Sequence, residues 1–472
     1  MTETILNTIT PISDFLYYPI LVALLLGIGL YFTVKTQFVQ VSEFKDAISV
    51  IMEKPEEEGS VSSFQALMVS TASRVGTGNI VGVSTAICLG GYGAVFWMWV
   101  VALIGGASAF IESTLAQIYK KRGIGNSCYG GPSYYIETAL NKRWLGIIFS
   151  IFLILTYAIG FNMLAAYNVQ DAFKVYSFYH ETYTPLIIGA FLAAVTAFCI
   201  FGGGKRIIQF TTFLVPFMGI IYVVVALIMI LFNITFLPTV FKFIMQDAFN
   251  FKAIFSGIAG SSMMFGIKRG LFSNEAGIGS APNAAASAHI SHPVKQGLVQ
   301  MISVFIDTLL ICSATAFMCL CSGIAPSAEL SGAAYVQVAF STLFGHYGNF
   351  FITLSLMLFG FTTVIGNLFY VDNNIAYIFR GMPRRGFMLV YRALAVLVIF
   401  VGSLQQADLA WGTADLLMAL MALINLPAIL ILSKVALRAL DDYRQQAKQG
   451  KNPVFKAQNI GMDDQKLDFW KD

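Results

Sequence analysis

Long apolar stretches separated by short polar segments run along most of the chain, a pattern typical of membrane-spanning helices. A helix needs about 20 mostly apolar residues to cross a bilayer. We predict eleven such spans, at residues 15–34, 62–89, 94–119, 144–173, 184–203, 207–232, 253–288, 294–323, 348–378, 387–403 and 409–433. The second and the seventh are long and unusually polar, and glycines interrupt both.

The interruptions read SRVGTGNIVG at 73–82 and LFSNEAGIGS at 271–280. Hydrocarbon cannot solvate exposed backbone, so polar, non-helical sequence at this depth survives only where protein or a water-filled cavity surrounds it. A broken spanning helix is the best sequence pointer to a transporter's binding site. The alternative is that the glycines only form packing faces, since Gly78 and Gly82 make a GxxxG pair. Packing alone does not explain the hydroxyl, amide and carboxyl side chains at the same positions.

The spans also predict the organisation of the chain. With the first span set aside, five spans at 62–232 precede five at 253–433, and each half begins with an interrupted helix. Because five is odd, the halves have opposite topology, as in inverted-repeat transporters. We therefore predict an all-α, polytopic fold with a five-plus-five inverted repeat. Residues 1–434 form one transmembrane transporter domain, and 435–472 form a polar tail, interpreted as a solvated extension.

Basic residues indicate the orientation of these spans. With the N-terminus outside, the inner segments hold 23 Lys and Arg and the outer segments hold 2, Lys242 and Lys252. Lys and Arg concentrate on the cytoplasmic side of membrane proteins. This predicts a plasma-membrane protein of a bacterial or archaeal cell with its tail in the cytoplasm.

Composition narrows the function classes. The chain is 57% hydrophobic and 11% charged, against roughly 25% charged residues in soluble domains. The net charge of +4 says little until it is distributed along the chain. We expect the lipid bilayer as a partner, no nucleic acid, and no evident partner protein. The four His lie near loops without a third metal ligand, so we expect no enzyme and no cofactor, and six Cys without ligand-like spacing are expected to be free thiols. A channel would need a continuous polar stripe, whereas polarity here concentrates at two breaks.

Three motifs carry a family resemblance. GGYGAVFWMWVVALIG at 90–105 resembles the signature of the alanine or glycine:cation symporter family, and RVGTGN at 74–79 and KRGLFSNEAGIGSAPNAAA at 268–286 resemble its first and sixth core helices. The likeness covers essentially the whole membrane region. It implies sodium-coupled, sometimes proton-coupled, symport of a small neutral amino acid by alternating access, with alanine or glycine favoured and glutamine or another neutral amino acid as the alternative.

An amino acid is a zwitterion, and a broken helix supplies groups for both of its charges. The half-helices predicted to start near Gly78–Asn79 and Gly277–Ile278 would expose unpaired N–H groups and positive dipole ends to a carboxylate. Carbonyls that end the preceding halves can accept from the ammonium group. The predicted substrate residues at the two breaks are Thr77, Gly78, Asn79, Phe272, Ser273, Gly277 and Ile278.

The resemblance adds walls and an ion site. It implies that Gln170, Phe173 and Asn367 join Phe272 and Ile278 around the substrate. It also implies a sodium ion between the first and eighth core helices. The implied sodium ligands are the carbonyls of Ala72 and Val75 and the hydroxyls of Thr362 and Thr363. A Thr hydroxyl in a spanning helix also commonly bonds back to its own helix.

Burying an ionisable side chain inside a membrane span costs free energy, so each such residue is first interpreted as functional. Arg74 and Glu275 lie at the breaks, where they could pair as a gate, or Glu275 could accept hydrogen bonds from freed N–H groups. Glu112 and Asp307 have no evident partner in the sequence, and the alternatives are internal polar packing or a proton relay if protons are the coupling ion. A further pair, Lys268 and Arg269, could line an outer vestibule or move with a gate.

Overall fold

The computed structural model describes residues 2–123, 127–250 and 261–470, which are almost entirely helical. Several long helices contain a π-helical stretch that continues the same rod. The helices, in chain order, are α1 (Thr2–Phe15, Leu16–Leu21, Val22–Lys35), α2 (Val39–Ser42), α3 (Phe44–Ile51), α4 (Ser63–Arg74), α5 (Gly78–Gly82, Val83–Gly90), α6 (Ala94–Ile118), α7 (Pro132–Leu140), α8 (Arg143–Ile154, Leu155–Gly160, Phe161–Asp171), α9 (Tyr183–Ile200), α10 (Gly204–Phe232), α11 (Leu237–Ala248), α12 (Ser262–Asn274), α13 (Pro282–Ala285), α14 (Pro293–Val304, Phe305–Cys312, Ser313–Leu320), α15 (Ala333–Phe344), α16 (His346–Phe379), α17 (Arg385–Gly402) and α18 (Ala407–Lys448).

The remaining regular structure is small. β1 (Lys121–Arg122) pairs antiparallel with β2 (Cys128–Tyr129) just after α6. Short 3₁₀ turns lie at Ile234–Phe236, Ala328–Leu330, Ala457–Ile460 and Asp464–Lys466. A parallel bridge joins Val61 to Ala288, so the approach to α4 touches the segment that follows α13.

The structure confirms the predicted arrangement of spans. Nine helices within the described ranges are long and apolar enough to cross a membrane, and the two interrupted helices, α4–α5 and α12–α13, complete the eleven. After α1, one set of five runs from α4–α5 to α10. The other set runs from α12–α13 to α18. Both sets open with a broken helix, as the polar interruptions predicted.

Serine caps start both broken helices. The Ser62 hydroxyl accepts the Gln65 N–H at 3.1 Å while the Gln65 side chain accepts the Ser62 N–H at 3.0 Å, a reciprocal capping box. At α12, the Ser261 hydroxyl accepts the Met264 N–H at 3.3 Å. These caps satisfy amide groups that no helical carbonyl can reach, so each broken helix has a defined start.

The two sets pack face to face around the breaks. α6 lies along α12 and α14, and α16 packs against α4, α8 and α10. Where α16 packs against α4, a side chain on Gly366 would come within 2.8 Å of the Ser73 amide nitrogen. The breaks therefore lie in the buried middle of the molecule rather than facing lipid.

Two helices extend beyond the predicted spans, and the tail differs from its prediction. α1 begins at Thr2 instead of residue 15, and α18 continues to Lys448, well past residue 433. The tail is not a solvated extension, because Phe455, Ile460 and Leu467 are buried against the helices. The hydropathy pattern did not predict this packing, because most residues of the tail are polar. Residues 253–260 of the predicted seventh span, and Lys252, lie outside the described residues.

Candidate functional site: two broken helices around a small cavity

The first break spans three residues between α4 and α5. The Gly76 N–H donates to Asn79 Oδ1 at 2.8 Å, and the Asn79 N–H donates to the Gly76 carbonyl at 3.2 Å. Asn79 therefore replaces the helical hydrogen bonds that the break removes. The amide of the same side chain donates to Asp307 Oδ1 at 2.7 Å, which attaches the break to α14.

The second break is longer and less helical than predicted. Positive φ angles at Glu275 (54°), Gly277 (84°) and Gly279 (89°) turn the chain out of the helical path. Glycine tolerates these angles, whereas other residues are strained by them. The half-helix predicted to start near Gly277–Ile278 is therefore wrong: turns occupy that segment, and the single turn of α13 follows it.

Glu112 of α6 supports the second break. Its Oε1 accepts the Gly277 N–H at 3.2 Å, and its Oε2 accepts from Asn425 Nδ2 at 2.8 Å. Asn425 also donates to the Gly277 carbonyl at 2.9 Å and accepts from the Tyr135 hydroxyl. The acid that satisfies the freed N–H group is thus Glu112, and not Glu275 as the sequence suggested.

The Asp307 side chain of α14 connects the two breaks. Asp307 accepts from Asn79 on one oxygen and from Ser273 Oγ on the other, at 2.9 Å. Thr308 Oγ1 donates to the second oxygen as well, at 2.9 Å. All three hydrogen-bonding partners are buried. Asn79 and Ser273 therefore hold the site together from behind and do not line its cavity.

A small cavity of about 10 Å³ lies where the two breaks approach each other. Its lining residues come from both breaks, α8 and α16. They are Ser73, Arg74, Gly76, Thr77, Gly78, Phe161, Phe272, Glu275 and Thr363. This volume holds about one water molecule. We call this space the site cavity.

The predicted substrate residues fall into three groups: those that line the site cavity, those buried one layer behind it, and those that lie elsewhere. Thr77, Gly78 and Phe272 line the site cavity with Arg74 and Glu275.

Asn367 lies one layer behind the lining. Its Oδ1 accepts from Ser73 Oγ at 2.7 Å, and its Nδ2 donates to Asn162 at 2.8 Å. Gly277 and Ile278 are buried, and within the described part of the chain neither of them lines the site cavity.

Gln170 and Phe173 lie elsewhere. Gln170 lines a separate pocket of about 350 Å³, where its Oε1 accepts from the Tyr179 hydroxyl at 3.1 Å. The Phe173 ring packs against Tyr176, with centroids 6.1 Å apart. The structure does not bring these two side chains to the site cavity.

The two threonines of the predicted ion site differ. Thr363 Oγ1 is buried beside Gly76 and has no hydrogen-bond partner within the described part of the chain. Thr362 Oγ1 donates to the Leu358 and Phe359 carbonyls of its own helix, at 3.0 and 3.1 Å. Ala72 and Val75 are buried in the adjacent end of α4. Thr363 thus offers an unused oxygen at the cavity, and Thr362 bonds back to α16.

Arg74 and Glu275 share the cavity without forming a direct ion pair in the described structure. Glu275 accepts from Ser73 Oγ at 3.0 Å and from Ser280 Oγ at 2.7 Å. Arg74 Nη1 donates to the carbonyl and side chain of Gln300, at 3.3 and 3.4 Å, while its Nε and Nη2 find no acceptor among the described residues. Both charges are thus held by contacts between helices: Glu275 by Ser73 of α4, and Arg74 by Gln300 of α14.

One helical turn before the second break, Lys268 and Arg269 both bind Asp415 of α18. Arg269 makes two hydrogen bonds to the carboxylate, at 3.1 and 3.2 Å, and Lys268 Nζ lies 3.0 Å from it. The Arg269 guanidinium also stacks on Trp411, 3.9 Å from the ring centroid. Asp415 is therefore the buried partner of Lys268 and Arg269, whose role the sequence left open.

An aromatic column continues from this ion pair to the cavity. Trp411 packs on Phe272 at a centroid distance of 5.1 Å, and Phe272 packs on Phe161 at 4.8 Å. A side chain on Gly78 would come within 2.8 Å of the Phe272 ring. Phe272 therefore covers the first break and separates the cavity from the Arg269–Asp415 pair.

Sequence reasoning missed Phe161, Trp411 and Asp415. An acid within an apolar span is a detectable signal, so a search of the last span would have found Asp415. Phe161 gives no such signal, because it is one of 41 phenylalanines in a chain rich in lipid-facing rings.

The sequence profile of the sodium:alanine symporter family matches residues 2–457. The chain belongs to this family. It is 43% identical over 458 residues to the amino-acid carrier protein AlsT of Bacillus subtilis, covering 97% of this chain and 96% of that one.

Two other relatives carry more specific names. The probable sodium/glutamine symporter GlnT of Bacillus subtilis is 44% identical over 445 residues, covering 94% of this chain and 91% of its own. The sodium/alanine symporter AgcS of Methanococcus maripaludis is 37% identical over 440 residues, covering 91% and 95%.

The fold also resembles solved structures. The crystal structure of a mutant manganese transporter of Eremococcus coleocola matches with a TM-score of 0.51, covering 85% of this chain and 84% of that one at 16% identity. At this identity the match shows a shared fold only.

Proposed function

We propose that this family member is a sodium-coupled symporter of a small neutral amino acid, alanine or glycine, that works by alternating access. The observation that carries the proposal is the meeting of both broken helices at one buried cavity that contains an Arg and a Glu side chain. The names of the relatives AgcS and AlsT support the same class of substrate.

The lining residues complement a zwitterion. The first turn of α5 has amide groups without helical acceptors, which favours a carboxylate next to Gly78. Arg74 adds a buried guanidinium with two donors that have no acceptor in the described structure. Glu275 uses two acceptor positions for serines, and a carboxylate has about four, so it can also accept from an ammonium group. The substrate would lie with its carboxylate towards Gly78 and its ammonium group towards Glu275.

The walls favour a small side chain. The site cavity measures about 10 Å³, and the Phe161 and Phe272 rings close it on one side. Binding of even alanine requires these walls to separate, and a larger side chain requires a larger displacement. The geometry therefore supports alanine or glycine over glutamine, the substrate in the name of the relative GlnT.

The proposed sodium ion binds next to the substrate. Sodium prefers oxygen ligands, and hydroxyls with carbonyls can replace part of its hydration shell. Thr363 Oγ1 is the buried oxygen at the cavity without a hydrogen-bond partner in the described chain, and α16 touches α4 at Ala72. The Ala72 and Val75 carbonyls with Thr363 are the proposed ligands, and Thr362 is less suited because its hydroxyl serves its own helix.

We place the protein in the plasma membrane with its N-terminus outside, on the ratio of 23 basic residues to 2. In this orientation α12 runs inward, so the Arg269–Asp415 pair and Phe272 lie on the outer side of the site cavity. The pair would hold the outer path closed, and its separation would admit substrate. The β1–β2 hairpin and the tail would face the cytoplasm.

Uptake by the purified protein in proteoliposomes tests the proposal. Labelled alanine should accumulate with an inward sodium gradient, should saturate, and should be displaced by unlabelled alanine and glycine. Stronger competition by glutamine than by glycine would favour the alternative substrate. Uptake that follows a proton gradient and ignores sodium would overturn the ion assignment, and flux that does not saturate would indicate a channel.

A further inference from the structure

A cysteine, a histidine and a glutamate form a line on the side of the molecule that carries the β-hairpin. Cys128 Sγ in β2 lies 3.2 Å from Nε2 of His289, which lies between α13 and α14. The other ring nitrogen of His289, Nδ1, is 3.5 Å from Glu57 Oε2. Cys128 is 6% exposed and His289 is 3% exposed. In this order the imidazole can accept the thiol proton, and the carboxylate stabilises the imidazolium that results.

A buried lysine adjoins the pair. Lys120 is fully buried, and its Nζ donates to the Ala288 carbonyl at 2.7 Å. Burial lowers the pKa of Lys120 to about 7 and raises the pKa of Cys128. The positive charges of Lys120 and Arg122 oppose the rise at Cys128. As long as the Cys128–His289 pair is covered, the exclusion of water keeps the Cys128 thiol protonated, even though His289 is next to it as a base.

Two aromatic residues of the tail cover this cluster, and we call Phe469 and Trp470 the aromatic lid. The Phe469 ring centroid is 3.7 Å from Lys120 Nζ and 5.3 Å from the His289 ring. Trp470 Nε1 donates to the Gln117 carbonyl at 2.9 Å.

Two hydrogen bonds from Arg122 hold the lid in place. The Arg122 N–H donates to Asp468 Oδ2 at 2.7 Å, and Arg122 Nη2 donates to the Phe469 carbonyl at 3.4 Å. The lid is thus attached to the same hairpin that carries Cys128.

The aromatic lid lies outside the spans, so its opening would not require a span to move. After α18 ends at Lys448, the described tail contains only two short 3₁₀ turns, and both lid side chains are partly exposed. Segments with little regular structure open at a lower free energy than the packed helices. Opening would admit water and small solutes to Cys128 and remove the desolvation that holds its thiol protonated.

We propose that Cys128 is a covalent modification site for low-molecular-weight disulfides, guarded by the aromatic lid. His289 removes the Cys128 proton, and the thiolate attacks one sulfur of the disulfide. A new S–S bond forms to Cys128 as the disulfide's own S–S bond breaks, and the leaving thiolate takes the proton from His289. Cys128 is oxidised, and the leaving half is reduced to a thiol. The attached group then occupies the place of Phe469 and prevents the lid from closing.

Mass spectrometry of the full chain in lipid nanodiscs tests the site, with oxidised glutathione as the probe. The rate of glutathione addition to Cys128 is measured at pH 7 in the wild type and in the lid variant Phe469→Ala/Trp470→Ala. Val454→Ala changes an exposed position of the same tail and serves as its control. The Cys128→Ser variant gives the background from the other five cysteines, all of which are free thiols.

The lid variant should react about tenfold faster than the wild type, since reaction requires an accessible thiolate, and Val454→Ala should react like the wild type. Adding His289→Gln to the lid variant should slow the reaction about tenfold at pH 7 and much less at pH 9.5, where the thiol ionises without a base. Equal rates in wild type and lid variant would overturn the role of the lid. A lid variant that stays unmodified at Cys128, or that is insensitive to His289→Gln, would overturn the site.

Discussion

Asp415 of α18 accepts two hydrogen bonds from the Arg269 guanidinium of α12, and both side chains are almost completely buried. The pair joins the helix that leads into the second break to the last span of the chain. Trp411, one turn earlier on α18, stacks on the same guanidinium and continues the contact to Phe272. A charge pair and a ring stack therefore join the same two helices beside the site cavity.

Removing one charge of the Arg269–Asp415 pair should lower the free energy of unfolding. Asp415→Asn leaves Arg269 and Lys268 without a buried counter-charge, which typically destabilises a protein by about 3–5 kcal/mol. We expect a lower melting temperature in detergent and loss of alanine uptake. Lys174→Ala is the control, because Lys174 is half exposed and its pair with Asp171 should contribute only about 0–1 kcal/mol. A wild-type melting temperature and wild-type uptake in Asp415→Asn would contradict the proposal that the Arg269–Asp415 pair holds the outer path closed.

Glu112 should be required for the shape of the second break. In Glu112→Gln one carboxylate oxygen becomes an amide donor, so either the Gly277 N–H or Asn425 Nδ2 loses its acceptor, at a cost of about 1–3 kcal/mol. A double-mutant cycle with Asn425→Ala should show coupling of at least about 0.5 kcal/mol in thermal or denaturant stability. Glu181→Gln, at an exposed turn, is the control and should have little effect on stability. Strict additivity in the cycle would show that the contact does not support the break.

The two neighbouring threonines of α16 should differ in their effect on sodium dependence. Thr363→Val removes the oxygen that faces the cavity, and we expect the sodium concentration for half-maximal uptake to rise about tenfold, equivalent to about 1.4 kcal/mol. Thr363→Ser keeps the oxygen and should retain most of the affinity. Thr362→Val is the matched control, since its hydroxyl bonds to its own helix. A larger rise in Thr362→Val than in Thr363→Val would reverse the assignment.

Phe272 should restrict the size of the transported side chain. Phe272→Ala removes the ring that covers Gly78, and glutamine should then compete more strongly against labelled alanine than it does in the wild type. Phe173→Ala provides the comparison, because that ring lies away from the site cavity, next to Tyr176. If both variants keep the wild-type ratio of glutamine to alanine inhibition, Phe272 does not set the size limit.

Hydropathy was sufficient to predict the number of spans and the two breaks, because a bilayer imposes a minimum length and tolerates polar backbone only inside protein. The conformation of the second break was not predictable in the same way. Positive φ angles at Gly277 and Gly279 depend on contacts from α6, including the Glu112 acceptor, that are remote in sequence. A glycine-rich segment is compatible with either a restarting helix or a series of turns.

Side-chain direction explains the remaining differences at the site. Thr362 and Thr363 are adjacent, so helical geometry points them about 100° apart and only one can face the cavity. Gln170 lies at the end of α8, where a neighbouring tyrosine holds it. The tail was misjudged because its buried residues are few and widely spaced, which gives no periodic signal.

Equilibrium binding of labelled alanine to the purified full chain tests the central claim most directly. A methyl group at position 76 would overlap Thr363 Oγ1, whereas one at Gly386 has no neighbour within 4 Å among the described residues. We predict saturable, sodium-dependent binding in the wild type and in Gly386→Ala, and loss of binding in Gly76→Ala when that variant remains folded by size-exclusion chromatography. Wild-type binding in Gly76→Ala, or binding that is the same with and without sodium, would contradict the assignment of the site.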